Sequence, residues 1–149
     1  MRTKLLSLVV LTLVTITTTF AKNKDENVSQ KALQTFNQKF ADVKNVSWYK
    51  AENYYKASFT LNDQVLTAFI TDEGEWMGVS RNLLSYQLPI NLQAELKKEY
   101  GQYWISELFE FATNDNTYYY IVVENAEQKL TLKTSGSGEW LVFKKVKKD

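Results

Sequence analysis

Residues 54–79 read YYKASFTLNDQVLTAFITDEGEWMGV, and residues 118–143 read YYYIVVENAEQKLTLKTSGSGEWLVF. Laid over one another at a constant shift of 64 residues and without a gap, eight of the 26 positions are identical: Tyr54, Tyr55, Gln64, Leu66, Thr67, Gly74, Glu75 and Trp76 meet Tyr118, Tyr119, Gln128, Leu130, Thr131, Gly138, Glu139 and Trp140. Self-similarity at a fixed period marks one supersecondary unit used more than once. The sequence therefore predicts two copies of a small module.

Within each copy, aromatic and β-branched residues at a period of two read as strands. They fall at 46–49, 54–61, 64–70 and 76–80, answered by 105–111, 118–124, 129–134 and 140–146. Turn chemistry separates them: Asn62-Asp63, Asp72-Glu73-Gly74, Asn125-Ala126-Glu127 and Gly136-Ser137-Gly138 tolerate positive φ or close tight hairpins. The comparison also separates the two faces of each strand. Tyr55, Ala57 and Phe59 stay apolar or aromatic as Tyr119, Ile121 and Val123, whereas Lys56, Ser58 and Thr60 become Tyr120, Val122 and Glu124. Leu66 and Ala68 stay apolar as Leu130 and Leu132, while Val65 and Phe69 become Lys129 and Lys133. The constrained set is the inward one.

Ahead of each strand group the period lengthens to that of a helix. Leu33, Phe36, Phe40 and Val43 share one face, with Ser29 as N-cap and Val28 and Leu33 as the staple across it. Leu92, Leu96, Tyr100 and Tyr103 repeat the pattern after Pro89, and Gly101 ends it. The predicted fold is α+β: two tandem repeats, 22–86 and 87–149, each a helix on a four-stranded antiparallel sheet.

The N-terminal segment stands apart. Arg2 and Lys4 precede an apolar run from Leu5 to Ile16, then three threonines, Phe20 and Ala21. This is the layout of a signal peptide over 1–21 with cleavage after Ala21, and the run is shorter than a spanning helix needs. Export to the periplasm or beyond, with no stable membrane insertion after cleavage, is the expectation. Loss of Arg2 and Lys4 takes the formal charge from +1 to −1, which argues against nucleic acid as a partner. The chain has no Cys, so no disulfide staples the fold, and each module of about 60 residues would be marginal alone.

The order helix, Val46-Ser47-Trp48, Tyr55-Lys56-Ala57-Ser58-Phe59, Asp72-Glu73-Gly74-Glu75-Trp76 and Leu88-Pro89 resembles the tandem PepSY-like proteins of the Bacteroidetes envelope, a group similar in fold to the β-lactamase-inhibitor protein. The resemblance covers nearly all of the chain after residue 21. It implies a secreted or periplasmic protein, helices on a curved antiparallel sheet, and a role in binding or inhibiting another protein. Its motifs include no catalytic residue. Gly136-Ser137-Gly138 departs from the pattern by replacing the acidic turn of the first copy.

Chemistry is scarce. With no His and no Cys there is no imidazole base, thiol nucleophile or ordinary transition-metal ligand set, so neither a catalytic centre nor a metal or cofactor is expected. Asp72, Glu73 and Glu75 read as a polar hairpin turn, and the second copy lacks the acidic ligands a calcium loop would need. Lys144, Lys145, Lys147 and Lys148 read as solvation of an edge strand.

Aromatic residues on the outward set are the candidate binding residues: Tyr49, Tyr54, Phe69, Tyr118 and Tyr120, with Trp76 and Trp140 assigned to the same face by their phase. Such side chains dominate interface hot spots. The competing reading, that they shield each sheet or bury the contact between the copies, suits Trp76 and Trp140 because they recur; Tyr49, Phe69 and Tyr120 differ between copies and are the better functional candidates. The function expected is a non-catalytic binding module for an envelope protein or peptide, of an inhibitor-like kind. The alternatives are a small-molecule or lipid-binding envelope protein, or an envelope scaffold with no single ligand.

Overall fold

Ser29 sets the first element. Its hydroxyl accepts from the Ala32 N–H at 3.2 Å and so caps helix α1, Gln30–Lys39, as expected. The same hydroxyl donates to the Asp72 carbonyl at 3.2 Å, and Thr35 donates to the Gly74 carbonyl at 2.6 Å. A Cβ on Gly74, whose φ is +84°, would lie 2.8 Å from the Cβ of Lys31. The acidic turn is therefore the seat of α1: Glu73 pairs with Lys31 and Asp72 with Lys50. These observations come from a computed structural model that describes residues 27–135 and 138–148. The predicted signal peptide and the tip of the Gly136-Ser137 turn lie outside the described residues.

The strands are β1 Ser47–Lys50, β2 Tyr54–Leu61, β3 Gln64–Thr71, β4 Trp76–Asn82, β5 Trp104–Ala112, β6 Thr117–Glu124, β7 Gln128–Thr134 and β8 Leu141–Lys147, with helix α2, Ile90–Tyr100, between β4 and β5. Each pairs antiparallel with the next, giving one eight-stranded sheet in sequence order. Asn62 and Asp63 both take positive φ, as a two-residue hairpin of the primed type demands.

This corrects the expected architecture. Two tandem helix-plus-four-strand modules would leave β4 and β5 as facing edges with unpaired backbone groups. Instead β4 pairs with β5 from Val79↔Ala112 to Asn82↔Phe109, and the Leu83 N–H donates to the Leu108 carbonyl at 3.0 Å. The sheet is continuous, and the expected boundary at 86/87 falls inside a single 3-10 turn, Ser85–Gln87. On the helix face of this seam, Arg81 and Glu110 form a two-pronged ion pair, Nε to Oε1 and Nη2 to Oε2 both at 3.1 Å, while Nη1 donates to Gln64.

The inward set holds as expected. Phe36 of α1 packs on Trp48, Tyr55, Ala57, Phe59, Ala68 and Ile70, with Phe40 and Val43 at the margin. Leu92 and Leu96 of α2 pack on Leu108, Ile121, Val123, Leu130 and Leu132. Both helices lie on one face.

Trp76 and Trp140 belong to that same face, against expectation. Trp76 packs against the α1 cluster with its ring 5.9 Å from that of Phe40. Trp140 is buried against α2, where its indole N–H donates to the Leu92 carbonyl at 3.1 Å and its backbone N–H to Glu95 at 3.0 Å. The cause is a register break in each half, between Phe69/Ile70 on β3 and between Thr131/Leu132 on β7. A bulge inserts one residue and reverses the phase that a strict period of two assigns.

Candidate functional site

The face opposite the helices carries a third cluster with no helix residue in it: Tyr54, Phe69, Phe109, Phe111 and Tyr120 at the centre, with Ala51, Met77, Tyr118 and Phe143 around them. The rings touch in series. Tyr54 lies 6.2 Å from Phe69, Phe69 5.7 Å from Phe111, Phe109 stacks on Tyr120 at 5.1 Å, and Tyr120 meets Phe143 edge-on at 6.1 Å. Gly78 makes the crossing between β3 and β5 possible. It stands opposite Phe69 on β4, and a Cβ there would lie 2.6 Å from Cζ of Phe111.

Tyr54, Phe69, Tyr118 and Tyr120 therefore share the outward face, as the sequence comparison placed them. Their exposure is another matter. Phe69 and Tyr120 are fully buried and Tyr54 nearly so, because the rings cover one another; an open aromatic surface at these three positions is corrected to a packed floor. Of the expected binding residues on this face, Tyr49 is the exposed one, at 54%.

Around the floor stands a rim of exposed apolar side chains on the same face. Tyr49 is opposite Lys56 on the β1 edge, Val65 is opposite Thr60, Trp104 is opposite Glu124, and Leu141 is opposite Lys133 on the β8 edge. The rim thus spans the whole width of the sheet.

Two lysines sit in the floor. Lys56, only 8% exposed, has its ammonium 5.6 Å from the Tyr49 ring centroid and 5.9 Å from that of Tyr54. Lys133 lies 4.4 Å over Tyr118 and 5.3 Å over Tyr120. Burial lowers the pKa of both, and among the described residues neither has a carboxylate partner. The two are related through strand register. Lys56 is opposite Phe69 across β2 and β3, and Tyr120 is opposite Lys133 across β6 and β7. At a shift of 64 residues the two pairs coincide with the lysine and the ring exchanged. This exchange was present in the aligned sequences, but only the strand pairing shows it to be one Lys–aromatic pair kept twice.

The sequence reading placed Lys56 and Lys133 in the outward set without giving them a binding role, and it missed Phe109, Phe111 and Phe143 as members of this face. Phe109 and Phe111, two apart on β5, lie outside the aligned repeat, and Phe143 is moved onto the face by the second bulge. Two surface hollows elsewhere measure about 270 Å³ at the β4–β5 seam and about 250 Å³ beside α2. Both fall below the roughly 300–1,000 Å³ of ordinary small-molecule pockets.

No family model matches the sequence, and no curated protein does. Solved structures do. A BLIP-like protein from Bacteroides fragilis superposes with a TM-score of 0.69 at 18% identity, over 81% of this chain and 88% of that one. A DUF2874 family protein from Bacteroides ovatus gives 0.69 at 17% identity, over 79% and 86%. A Bacteroides eggerthii protein provisionally described as periplasmic gives 0.70 at 14% identity, over 80% and 88%. At these identities the likeness shows a shared fold, with BLIP-like architecture.

Proposed function

We propose that this chain is a non-catalytic, exported binding protein of the cell envelope that holds a protein or peptide on the sheet face opposite its helices. The observation that carries this reading is the pair of desolvated lysines in an aromatic floor. Burying an ammonium without a counter-charge opposes folding, and cation–π contacts of about 0.5–2 kcal/mol offset only part of the cost. A fold whose other face already provides two helix-covered clusters gains no stability from keeping such groups; a partner that supplies anionic or acceptor groups explains them. The exposed rim of Tyr49, Val65, Trp104 and Leu141 adds contact area suited to a protein interface.

The envelope setting is supported by the layout of residues 1–21 and by the provisional periplasmic description of the Bacteroides eggerthii neighbour. The PepSY-like relationship rests on the sequence motifs, since none of the three neighbours' descriptions uses that name. The BLIP-like neighbour suits a binding role of inhibitory kind without identifying a target.

The test is photo-crosslinking in a Bacteroides envelope, with a photoreactive residue placed in turn at Tyr49, Leu141 and Gln38. Gln38 lies on the exposed side of α1 and serves as control. Adducts of one defined mass from Tyr49 and Leu141, absent from Gln38, are expected. Adducts from Gln38 alone, or none from any position, would overturn the assignment of the sheet face.

A further inference from the structure

The charged groups lining the hollow at the β4–β5 seam are the mutually satisfied Arg81–Glu110 pair, and the lysines of β8 line an open sheet edge, where they keep other strands away. The hydroxyl of Tyr120 has no comparable explanation. Tyr120 is fully buried, and its oxygen has no hydrogen-bond partner among the described residues. Buried hydroxyls are nearly always paired, because one left alone forfeits its water without recompense. Phenylalanine would fill the same space between Phe109 and Phe143 without that cost.

Beside the Tyr120 ring stands a donor with no acceptor of its own. Lys133 is directly opposite Tyr120 and hangs over both the Tyr118 and Tyr120 rings, and an ammonium offers three donors and no acceptor. The Tyr118 hydroxyl is near enough that its charge, after burial itself, opposes ionisation of Tyr120, so the phenol stays a donor. The ammonium lies over both rings, and no carboxylate among the described residues pairs with it.

We propose that Tyr118, Tyr120 and Lys133 form a site for the C-terminal carboxylate of a peptide whose last residue is apolar, an inference that rests on the binding role proposed above. One cation suits one negative charge; a phosphate dianion calls for more than a single lysine. The walls are Phe109 and Phe143, so the anion must arrive with an apolar body attached. A chain-end residue presents both together, since its carboxylate and its side chain leave the same Cα. Lys133 is half-buried on a flexible stem and is the member able to swing from the rings onto the incoming oxygen, admitting it to the Tyr120 hydroxyl.

The experiment is calorimetric titration of the chain lacking residues 1–21 with three peptides: Ac-Ala-Phe with a free carboxylate, the same peptide amidated, and amidated Ac-Glu-Phe. The free acid is expected to bind at least about tenfold more tightly than its amide, as charge-assisted hydrogen bonds imply. Lys133→Met and Tyr120→Phe should each remove most of that preference. Tyr120→Phe should also melt at or above the wild-type temperature, since it deletes an unpaired hydroxyl, so its loss of binding cannot come from unfolding. Equal binding of acid and amide, binding of neither, or wild-type preference in both variants would overturn the site. Preference for the Glu-bearing amide over the free acid would overturn the chain-end assignment. Failure of the peptides with crosslinks from Tyr49 and Leu141 intact would remove this site and leave the binding role standing; the opposite pattern would remove the partner assignment instead.

Discussion

Glu124 fastens the last residues of the chain to the sheet. Lys148 meets its Oε2 at 2.7 Å, and Lys129 lies 3.7 Å from Oε1. The hydrogen bond from Lys148, then one from Ser106, and the charges of Lys129 and Lys148 outweigh partial burial and pull this carboxyl down to about 2. Its unfolded value is about 4.3, so the ionised form is favoured by folding. The stabilisation is complete above roughly pH 4.3 and is lost as pH falls through about 2. Because Lys148 is part-exposed and the pair is screened by solvent, the expected size is on the order of 1 kcal/mol. Neighbouring Glu107 works in the opposite sense, since burial raises its pKa and protonation there favours the folded state. Urea denaturation at steps between pH 6 and pH 2 should show the loss, and Glu124→Gln should flatten it. A variant with the wild-type acid profile would show that Glu124 holds no folded-state charge of consequence.

At the scale of elements, strands and helices were legible because period and turn chemistry are local: Ser29, Asn62-Asp63 and Leu88-Pro89 announce their elements from a few neighbouring residues. The bulges were not legible, since nothing in the composition of 69–77 or 131–143 states that one residue will be left out of the ladder. That single insertion placed Trp76 and Trp140 under the helices and brought Met77 and Phe143 to the opposite face. Gly78 sits at the first of these breaks with φ of +152°, and its missing Cβ is where the Phe111 ring lies. Its counterpart at the 64-residue shift is Val142, which is exposed on the β8 edge with no ring to receive. Gly78→Ala should therefore cost about 1–3 kcal/mol through overpacking and more through backbone strain, whereas Val142→Ala should be near neutral. Thermal melts of the two variants compare them directly. A Gly78→Ala protein as stable as the wild type would mean that Phe111 is free to move and the aromatic floor is not tightly packed.

At the scale of the molecule, the sequence displayed its internal likeness more plainly than its unity. The 64-residue match lies within each half, while the ladder that joins the halves, Val79 to Asn82 on β4 against Phe109 to Ala112 on β5, lies outside it in every residue but Val79. Three things bind the halves. The β4–β5 ladder removes two sheet edges, the Arg81–Glu110 pair crosses that ladder on the helix face, and on the other face Tyr54 and Phe69 share one cluster with Phe109, Phe111 and Tyr120. Each half alone would expose this aromatic cluster and a long unpaired edge, and a chain of about 60 residues without disulfides has little stability in reserve. The full chain should therefore unfold in a single cooperative transition, with calorimetric and van't Hoff enthalpies equal. Fragments 22–84 and 85–149, expressed separately, should show no cooperative melt, and mixing them should restore strand content as the seam re-forms. Two resolved transitions in the full chain, or a cooperative melt of either fragment, would show that the seam is a contact between independent modules instead of the spine of one sheet.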